Sequence, residues 1–541
     1  MAQTETSKYP RGLFSEGRPT PTGVWTLYEE GRRFKSAINL YDTVVNNENF
    51  FIGKQWEGVQ ANGLPTPVFN FLKKDVSFVV ASITTDNIKI SARPLAATPE
   101  TRALREPARI LNEEFESIFA ANDIVRLAKE YARDAAVRGD GCLYTYWDAD
   151  AETGQLSKGA IRTEIIKNTR VFFGNPNDKR VESQPYIIVE SREIVRLLRQ
   201  KARENGADDW EAIDSDEDNA PAGGERRTDD KATKLFIMWK GEDGEVWGYE
   251  CTEKVTVKAP WSLGIRRYPI TWLCWDYVDD SYHGQAMITG LIPNQIFVNK
   301  IWAMTMLSAM MTAYPKVIYD KTRIHKWTNQ VGQAIGVAGG DMNTVAKTLN
   351  GAMLNPQISE LIELAIDQTN RNLGVNAAAT GDVRPDNTSA IIALQRAAAT
   401  PSETTKLNLQ HSIEDLGRIY LEFIAEYYGK RRVDVPSAGT EAEEIHAFAG
   451  TETPEEIAVD FDFSVFKDMP MSFKLDVGAS SYYSEIASIQ TLDQLLVNGK
   501  ITTSQYLERL PDGYIPDKAG LQRDIKAAEE AAKASQAVTA Q

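Results

Sequence analysis

The sequence predicts an α+β protein that is mainly helical, and three observations support this class. Apolar residues recur at helical spacing in the N-terminal third, as at Phe34, Ile38 and Tyr41. Residues 160–275 carry runs typical of strands, and helical patterns dominate again from residue 285 onward. With 541 residues the chain is long enough for three or four structural units.

In the N-terminal third, a helical pattern starts at Leu27 and continues to Val45. The stretch "FFIGKQWEG" then breaks it with two glycines, and a second helix is marked by apolar residues from Leu72 to Ile83. "NIKISARP" alternates like a strand that ends at Pro94, and residues 101–137 predict two more helices. "CLYTYW" predicts a short strand after the turn "RGDG".

The next region is mostly β. Strands are predicted at residues 187–190, 235–239, 245–249 and 270–275. Residues 200–232 interrupt them with an acidic, aperiodic segment. Its "DSDED" is either a metal site or part of a solvated loop, and the loop is favoured because the fixed ligand spacing of a calcium site is missing.

The long helix predicted over residues 285–313 is apolar nearly all round and rich in methionine. Such a helix is buried on every side, either in the core of one subunit or between subunits, and both readings stay open. "AYPKVIYD" then predicts a strand, followed by a glycine-rich segment to residue 355.

The following helix carries carboxylates along one face, because Glu360, Glu363 and Asp367 stand at positions i, i+3 and i+7. Ile358, Leu361, Ile362, Ala365 and Thr369 are predicted to form a second face. An acidic stripe of this kind is either an ordinary solvated face or a functional surface.

A loop rich in charge and helix breakers interrupts the helices, with Gly381, Asp382, Arg384 and Pro385 close together. A helix restarts at Ser389, Pro401 kinks or divides it, and an apolar seam then runs from Leu409 to Tyr427. Strands are predicted near residues 458–465 and 471–477. A helical tail from Ser481 includes the helix, glycine turn and helix of "LLVNGKITTSQYLERLP".

The net charge of −16 excludes a protein that grips nucleic acid through a large basic surface. Three cysteines without CxxC spacing argue against a disulfide framework and a zinc ribbon, and favour a reducing compartment. We expect no signal peptide and no membrane span, since the most apolar run, residues 301–313, is too short to cross a bilayer.

Motifs for known catalytic chemistry are also missing, since the chain contains no Walker A loop, GxSxG elbow or HExxH helix. The best candidate is "WDYVDDSYHGQ", where Asp279, Asp280 and His283 stand close together. These residues either hold Mg²⁺ for hydrolysis or form a turn whose carboxylates cap a helix, and the turn is favoured. We expect no enzymatic activity, no cofactor and no bound metal.

The order of these segments resembles the portal protein (head-to-tail connector) family of tailed double-stranded DNA bacteriophages. The resemblance rests on "FFIGKQWEG", "FNFLKKDVSFVVASITTDNIKISARP" and "DSYHGQAMITGLIPNQIFVNKIWAM", then on the breaker loop with its kinked helix, and on "NGKITTSQYLERLP". It covers roughly residues 25–520. The order of elements carries it, because no single motif is diagnostic.

The resemblance implies a portal-like fold with wing, stem, clip, tunnel loop and crown. It divides the chain into a mixed α/β wing (1–284, with the acidic surface loop 200–232), a first stem helix (285–313), a clip (314–355), a second stem helix (356–376), a tunnel loop (377–388), a kinked helix with the return to the wing (389–470), and a helical crown (471–541).

The resemblance also implies a function. Such proteins form a ring, usually of about twelve copies, at one capsid vertex, with a channel for packaging and ejecting the genome. The expected partners are further copies of the chain, double-stranded DNA, the terminase large subunit, head-tail adaptor and tail proteins, and the major capsid and scaffolding proteins. The expected location is the virion, and the host cytoplasm during assembly.

Site residues follow from this division. The tunnel loop would present to DNA the residues Thr380, Asp382, Arg384, Asp386 and Asn387. The channel would be lined by Glu360, Glu363 and Asp367, and the motor or adaptor would be contacted by Lys321, Arg323, His325 and Lys326. Pro401 would kink the helix. Two alternatives stay open: another head-tail structural or adaptor protein, or a metal-dependent hydrolase using Asp279, Asp280 and His283.

Overall fold

The computed structural model describes most of the chain. It covers residues 13–14, 17–84, 88–94, 105–155, 157–216, 231–313, 316–328, 335–339, 341, 344–349, 357–374, 402–434, 458–468, 471–477, 482–510, 521 and 525. These residues form helices and antiparallel strands, with about half of them helical, so the predicted α+β class is confirmed.

The helices in chain order are α1 (Pro21–Ala37), α2 (Leu40–Ile52), α3 (Phe71–Ile83), α4 (Arg105–Ala121), α5 (Ile124–Arg138), α6 (Val195–Glu204), α7 (Ile292–Ala313), α8 (Gln357–Asn372), α9 (Glu403–Phe423), α10 (Tyr482–Val497) and α11 (Thr503–Arg509). The helical pattern from Leu27 to Val45 is divided between α1 and α2. Asn39 separates them with a φ of 56°, a left-handed conformation that asparagine tolerates better than most residues.

The strands are β1 (Ile88–Pro94), β2 (Asp140–Asp148), β3 (Ala160–Ile165), β4 (Val171–Phe173), β5 (Tyr186–Ile194), β6 (Lys231–Lys240), β7 (Val246–Cys251), β8 (Thr256–Ser262), β9 (Ile270–Cys274), β10 (Lys316–Tyr319), β11 (Ala346–Leu349), β12 (Lys430–Asp434), β13 (Ala458–Asp462) and β14 (Met471–Val477). The strands predicted at residues 187–190, 235–239 and 270–275 lie within or overlap β5, β6 and β9.

Two antiparallel sheets organise the middle of the chain. One has the strand order β3-β2-β9 and the other runs β4-β5-β6-β7-β8 as a meander. The five-stranded sheet packs one face against α1, where Val24 and Tyr28 meet Ile188 and Ile237. Its other face joins the largest core, which also takes in α3, α4, α5 and α9.

The N-terminal and C-terminal parts of the chain meet in this core. Strand β1 pairs antiparallel with β14, with Ile90 opposite Leu475. Gly417 of α9 lies beneath the same pair, since a Cβ at this position would come within 2.7 Å of the Ile90 side chain. Residues 471–477, which the sequence places in the crown, are therefore hydrogen-bonded to a strand of the predicted wing.

The acidic segment is more ordered at its start than the sequence predicts. Helix α6 extends to Glu204, and the residues after it return as a short 3-10 turn at Trp210–Ala212. Ion pairs such as Arg192 with Asp216, 2.7 Å apart, hold this return against β5. The "DSDED" stretch lies partly in residues 217–230, outside the described residues.

Helix α7 starts later than residue 285. Gln285 instead forms a β-bridge with Asp276, and a 3-10 turn at Met287–Gly290 precedes Ile292, where the regular helix begins. After α7, strands β10 and β11 pair antiparallel, and α8 follows. Among the helices that the structure describes, none has both the length and the apolar composition needed to cross a bilayer.

Candidate functional site

Helices α7 and α8 pack side by side and form the framework of the candidate site. Val298 and Ile301 of α7 are buried against Ile362 of α8. The Asn294 amide donates a 3.0 Å hydrogen bond to the Thr369 hydroxyl, which itself donates to the Ala365 carbonyl. One apolar seam and one polar bridge therefore fix the two helices against each other.

Helix α3 supports this pair at one end. Phe71 packs on the α7–α8 seam, and the buried Asp75 faces α8. In the orientation that satisfies both groups, the Asn370 amide donates to both Asp75 carboxylate oxygens at 3.2 Å. Burial raises the pKa of Asp75 to about 6.

The three predicted channel-lining carboxylates lie on one exposed face of α8. Glu360, Glu363 and Asp367 are all exposed, whereas Ile362 and Thr369 on the opposite side are buried. This arrangement follows from helical periodicity, since positions i, i+3 and i+7 share a face. The stripe therefore points away from the seam with α7.

Apolar side chains are also exposed on this helix pair. On α8, Leu361 and Leu364 are 47% and 63% exposed. On α7, Phe297, Met304 and Met311 are 43%, 56% and 49% exposed. Mainly the first half of α7 is covered within one subunit, so the interpretation of α7 as a core helix of a single subunit is wrong. Its burial between subunits stays a prediction.

A buried hydrogen-bond network attaches α7 to the preceding part of the chain. Asn299 donates to the Gln55 side-chain oxygen at 2.6 Å, and Gln295 donates to Asn299 at 2.9 Å and to the Phe69 carbonyl at 2.8 Å. Gln55 in turn donates to the Phe50 carbonyl. All three amide side chains are more than nine-tenths buried.

Sequence reasoning missed this network. Gln55 lies inside the quoted "FFIGKQWEG", and Gln295 and Asn299 are amides within an otherwise apolar helix. A polar residue flanked by apolar ones at a buried helical position was the available signal, because such a side chain requires a partner. Its partner lies more than 200 residues away in sequence, so the spacing could not identify it.

A second group of buried hydrogen bonds lies just before α7. The His283 Nδ1–H donates a 2.6 Å hydrogen bond to the Asp140 carboxylate, whose other oxygen accepts from the Gly284 amide at 2.7 Å. Burial lowers the pKa of His283, against the opposing effect of Asp140. Gly139 is required here, since a Cβ on it would lie 2.5 Å from the Gly284 carbonyl oxygen.

The hydrogen bond between His283 and Asp140 bears on the predicted metal cluster. His283 points at Asp140, whereas Asp279 and Asp280 are exposed, and Asp280 occupies a turn with a φ of 53°. Across the described residues, no group of three or more His, Cys, Asp or Glu side chains is placed to hold a metal ion. The three residues are therefore not brought together as a hydrolytic site.

The segment between α7 and α8 has exposed basic residues at its start. Lys321, His325 and Lys326 are exposed, and Arg323 is half-buried between Asp320 and the Thr344 hydroxyl, with nitrogen–oxygen distances of 3.6 and 3.3 Å. Asp320 also accepts from Thr322, and these hydrogen bonds lower the pKa of Asp320. Arg323 therefore stabilises the turn, and the other three face solvent.

The remaining predicted site residues lie outside the described residues. These are the tunnel-loop candidates Thr380, Asp382, Arg384, Asp386 and Asn387, and the kink residue Pro401. After them, α9 begins at Glu403 and ends in a π-helical turn at Ile424–Tyr428. The Glu422 carboxylate there accepts from the backbone amides of Arg266 and Arg267 at 2.7 and 2.8 Å.

The helix pair, the basic segment between its members and α9 all fall within one family match. Residues 186–433, from β5 to β12, match the family model described as phage P22-like portal protein. No curated protein matches the chain significantly. The chain therefore contains a P22-like phage portal domain, and the phage portal family predicted from the sequence is confirmed.

Proposed function

We propose that this portal protein forms a ring of about twelve copies at one capsid vertex, and that the ring is the channel through which the genome is packaged and ejected. The observation that carries the proposal is the exposed acidic face of α8, which lies inside the portal domain. In this proposal, α7 and α8 are the stem helices around the channel.

The acidic face suits a conduit. A ring repeats Glu360, Glu363 and Asp367 once per copy, and stacked rings of carboxylates repel the phosphates of DNA. Tight binding would require the opposite charge, because neutralising phosphates with Lys and Arg supplies the affinity. The net charge of −16 per chain agrees with a surface along which DNA slides without being held.

Other contacts complete the proposal. The loop at residues 377–388 projects into the channel, where Arg384 touches phosphates transiently. Lys321, His325 and Lys326 contact the terminase large subunit during packaging and an adaptor protein afterwards, and their exposure supports this role. No residue of the chain performs covalent chemistry in this scheme, and ATP hydrolysis belongs to the terminase.

Charge reversal of the acidic face tests the proposal. We expect Glu363→Lys and Asp367→Lys combined to leave the ring intact but to lower packaged DNA at least tenfold, because the lumen then binds phosphates. Packaged DNA is measured as nuclease-protected DNA after complementing a phage that lacks this gene. Filter binding should show new, salt-dependent DNA affinity, with a slope of about −0.9 for each phosphate contacted.

A matched control changes the same charge elsewhere. Asp208→Lys and Asp209→Lys alter two exposed acidic residues of the predicted wing, and this variant should package normally. Normal packaging and unchanged DNA affinity in the α8 variant would refute the channel assignment. Arg384→Glu should give a milder packaging defect, because only a transient contact is lost.

A further inference from the structure

Helix α7 carries an exposed apolar stripe that no described element covers. Phe297, Met304 and Met311 stand at i, i+7 and i+14, so they form one line about 21 Å long. The exposed Lys300 falls between the first two, three residues after Phe297 and four before Met304. The stripe is therefore apolar with one positive charge.

Helix α8 carries a smaller apolar surface of opposite charge. Leu361 and Leu364 are exposed beside the acidic face, and Glu360 lies one turn before Leu364. Because Ile362 and Thr369 bind α8 to its own subunit, the two leucines are directed away from that contact. The leucines and Glu360 together form an apolar surface with a negative edge.

We infer that these two surfaces bind each other between neighbouring copies of the chain: the α7 stripe of one copy packs on Leu361 and Leu364 of the next, with Lys300 opposite Glu360. The inference rests on the proposed ring and specifies its contact. Methionine suits this position because its flexible side chain fills irregular gaps.

The charges select this arrangement over a two-fold dimer. Two α7 stripes packed on each other would place two Lys300 side chains and no carboxylate in one interface, because α7 has no acidic residue. Two α8 surfaces would likewise place only their carboxylates in one interface. Like charges across an interface disfavour association. Only the contact between different surfaces pairs Lys300 with Glu360, and such a head-to-tail contact closes into a ring when the rotation fits.

Two methionines of equal exposure provide the test. Met304 and Met310 are both 56% exposed, but Met310 lies about 120° around the helix from Met304. We expect Met304→Glu to lower the fraction of assembled full-length protein at least tenfold, measured by light scattering after size-exclusion chromatography. Met310→Glu should assemble like the wild type, and circular dichroism should show both variants folded.

A charge swap adds a second readout. Lys300→Glu should weaken assembly, and adding Glu360→Lys should restore it. Equal assembly of Met304→Glu and wild type, equal loss in Met310→Glu, or a charge swap that fails to restore assembly would each overturn the inference while leaving the ring itself in place. A wild-type protein that stays monomeric at high concentration would overturn the proposed function as well.

Discussion

Removing Asn299 should loosen the attachment of α7 to the rest of the subunit. Asn299→Ala deletes the 2.6 Å bond to Gln55 and the 2.9 Å bond from Gln295. Gln295 keeps the Phe69 carbonyl as a partner, whereas the Gln55 oxygen is left buried without one. Two lost hydrogen bonds and one orphaned acceptor together cost about 2–3 kcal/mol.

Hydrogen–deuterium exchange measures this loss where it occurs. A cost of about 2–3 kcal/mol corresponds to a roughly 30- to 140-fold increase in local opening, since about 1.4 kcal/mol is a factor of ten. We expect faster exchange in peptides covering the first turns of α7 and residues 50–56. Asn372→Ala, at the exposed end of α8, is the control and should change exchange little.

A double-mutant cycle identifies the responsible bond. Gln55→Ala combined with Asn299→Ala should cost about 1–2 kcal/mol less than the sum of the single changes, because the first change already removes their shared hydrogen bond. Additive effects, or exchange in α7 within threefold of the wild type for Asn299→Ala, would refute the argument that this network holds the helix.

Two further predictions concern buried titrating groups. Burial raises the pKa of Asp75 to about 6 from 3.8, so the stability associated with its neutral form is present below about pH 4 and is lost as the pH rises through about 6. Asp75→Asn should remove this pH dependence from the thermal unfolding temperature. An unchanged pH dependence in the variant would contradict the prediction. Burial lowers the pKa of Lys35, so the unfolded chain binds more protons at this residue than the native chain does. The free energy of unfolding should therefore rise as the pH approaches 10.5. Lys35→Met should flatten this rise, and an equally steep rise in the variant would exclude Lys35 as its cause.

The helices that follow from periodicity were predictable, and the contacts that orient them were not. Helix α9 shows its apolar seam in the sequence because Leu409, Ile413 and Leu416 recur on one face, and all three are buried. The hydrogen bond between Asp140 and His283 has no such signal in the sequence. Its members lie 143 residues apart, and both also fit ordinary turn positions.

In the candidate site, too, one feature could be predicted from the sequence and another could not. The acidic stripe of α8 was predictable because helical spacing alone places Glu360, Glu363 and Asp367 on one face. The exposed stripe of α7 was not, because a helix that is apolar all round shows no preferred face in sequence. Burial of Gln295 and Asn299 decides which face of α7 is covered, and that depends on Gln55 and Phe69 in the folded chain.

The pairing of β1 with β14 sets the order of events during synthesis. A ribosome that has completed β1 must still add residues 95–470 before β14 exists, which takes roughly 20–75 s at 5–20 residues per second. Throughout that interval Ile90 and Ala92, buried in the finished fold, lack their partner strand. The apolar stripe of α7 is also translated before β14, so a nascent chain carries the unpaired β1 and the exposed α7 stripe at the same time.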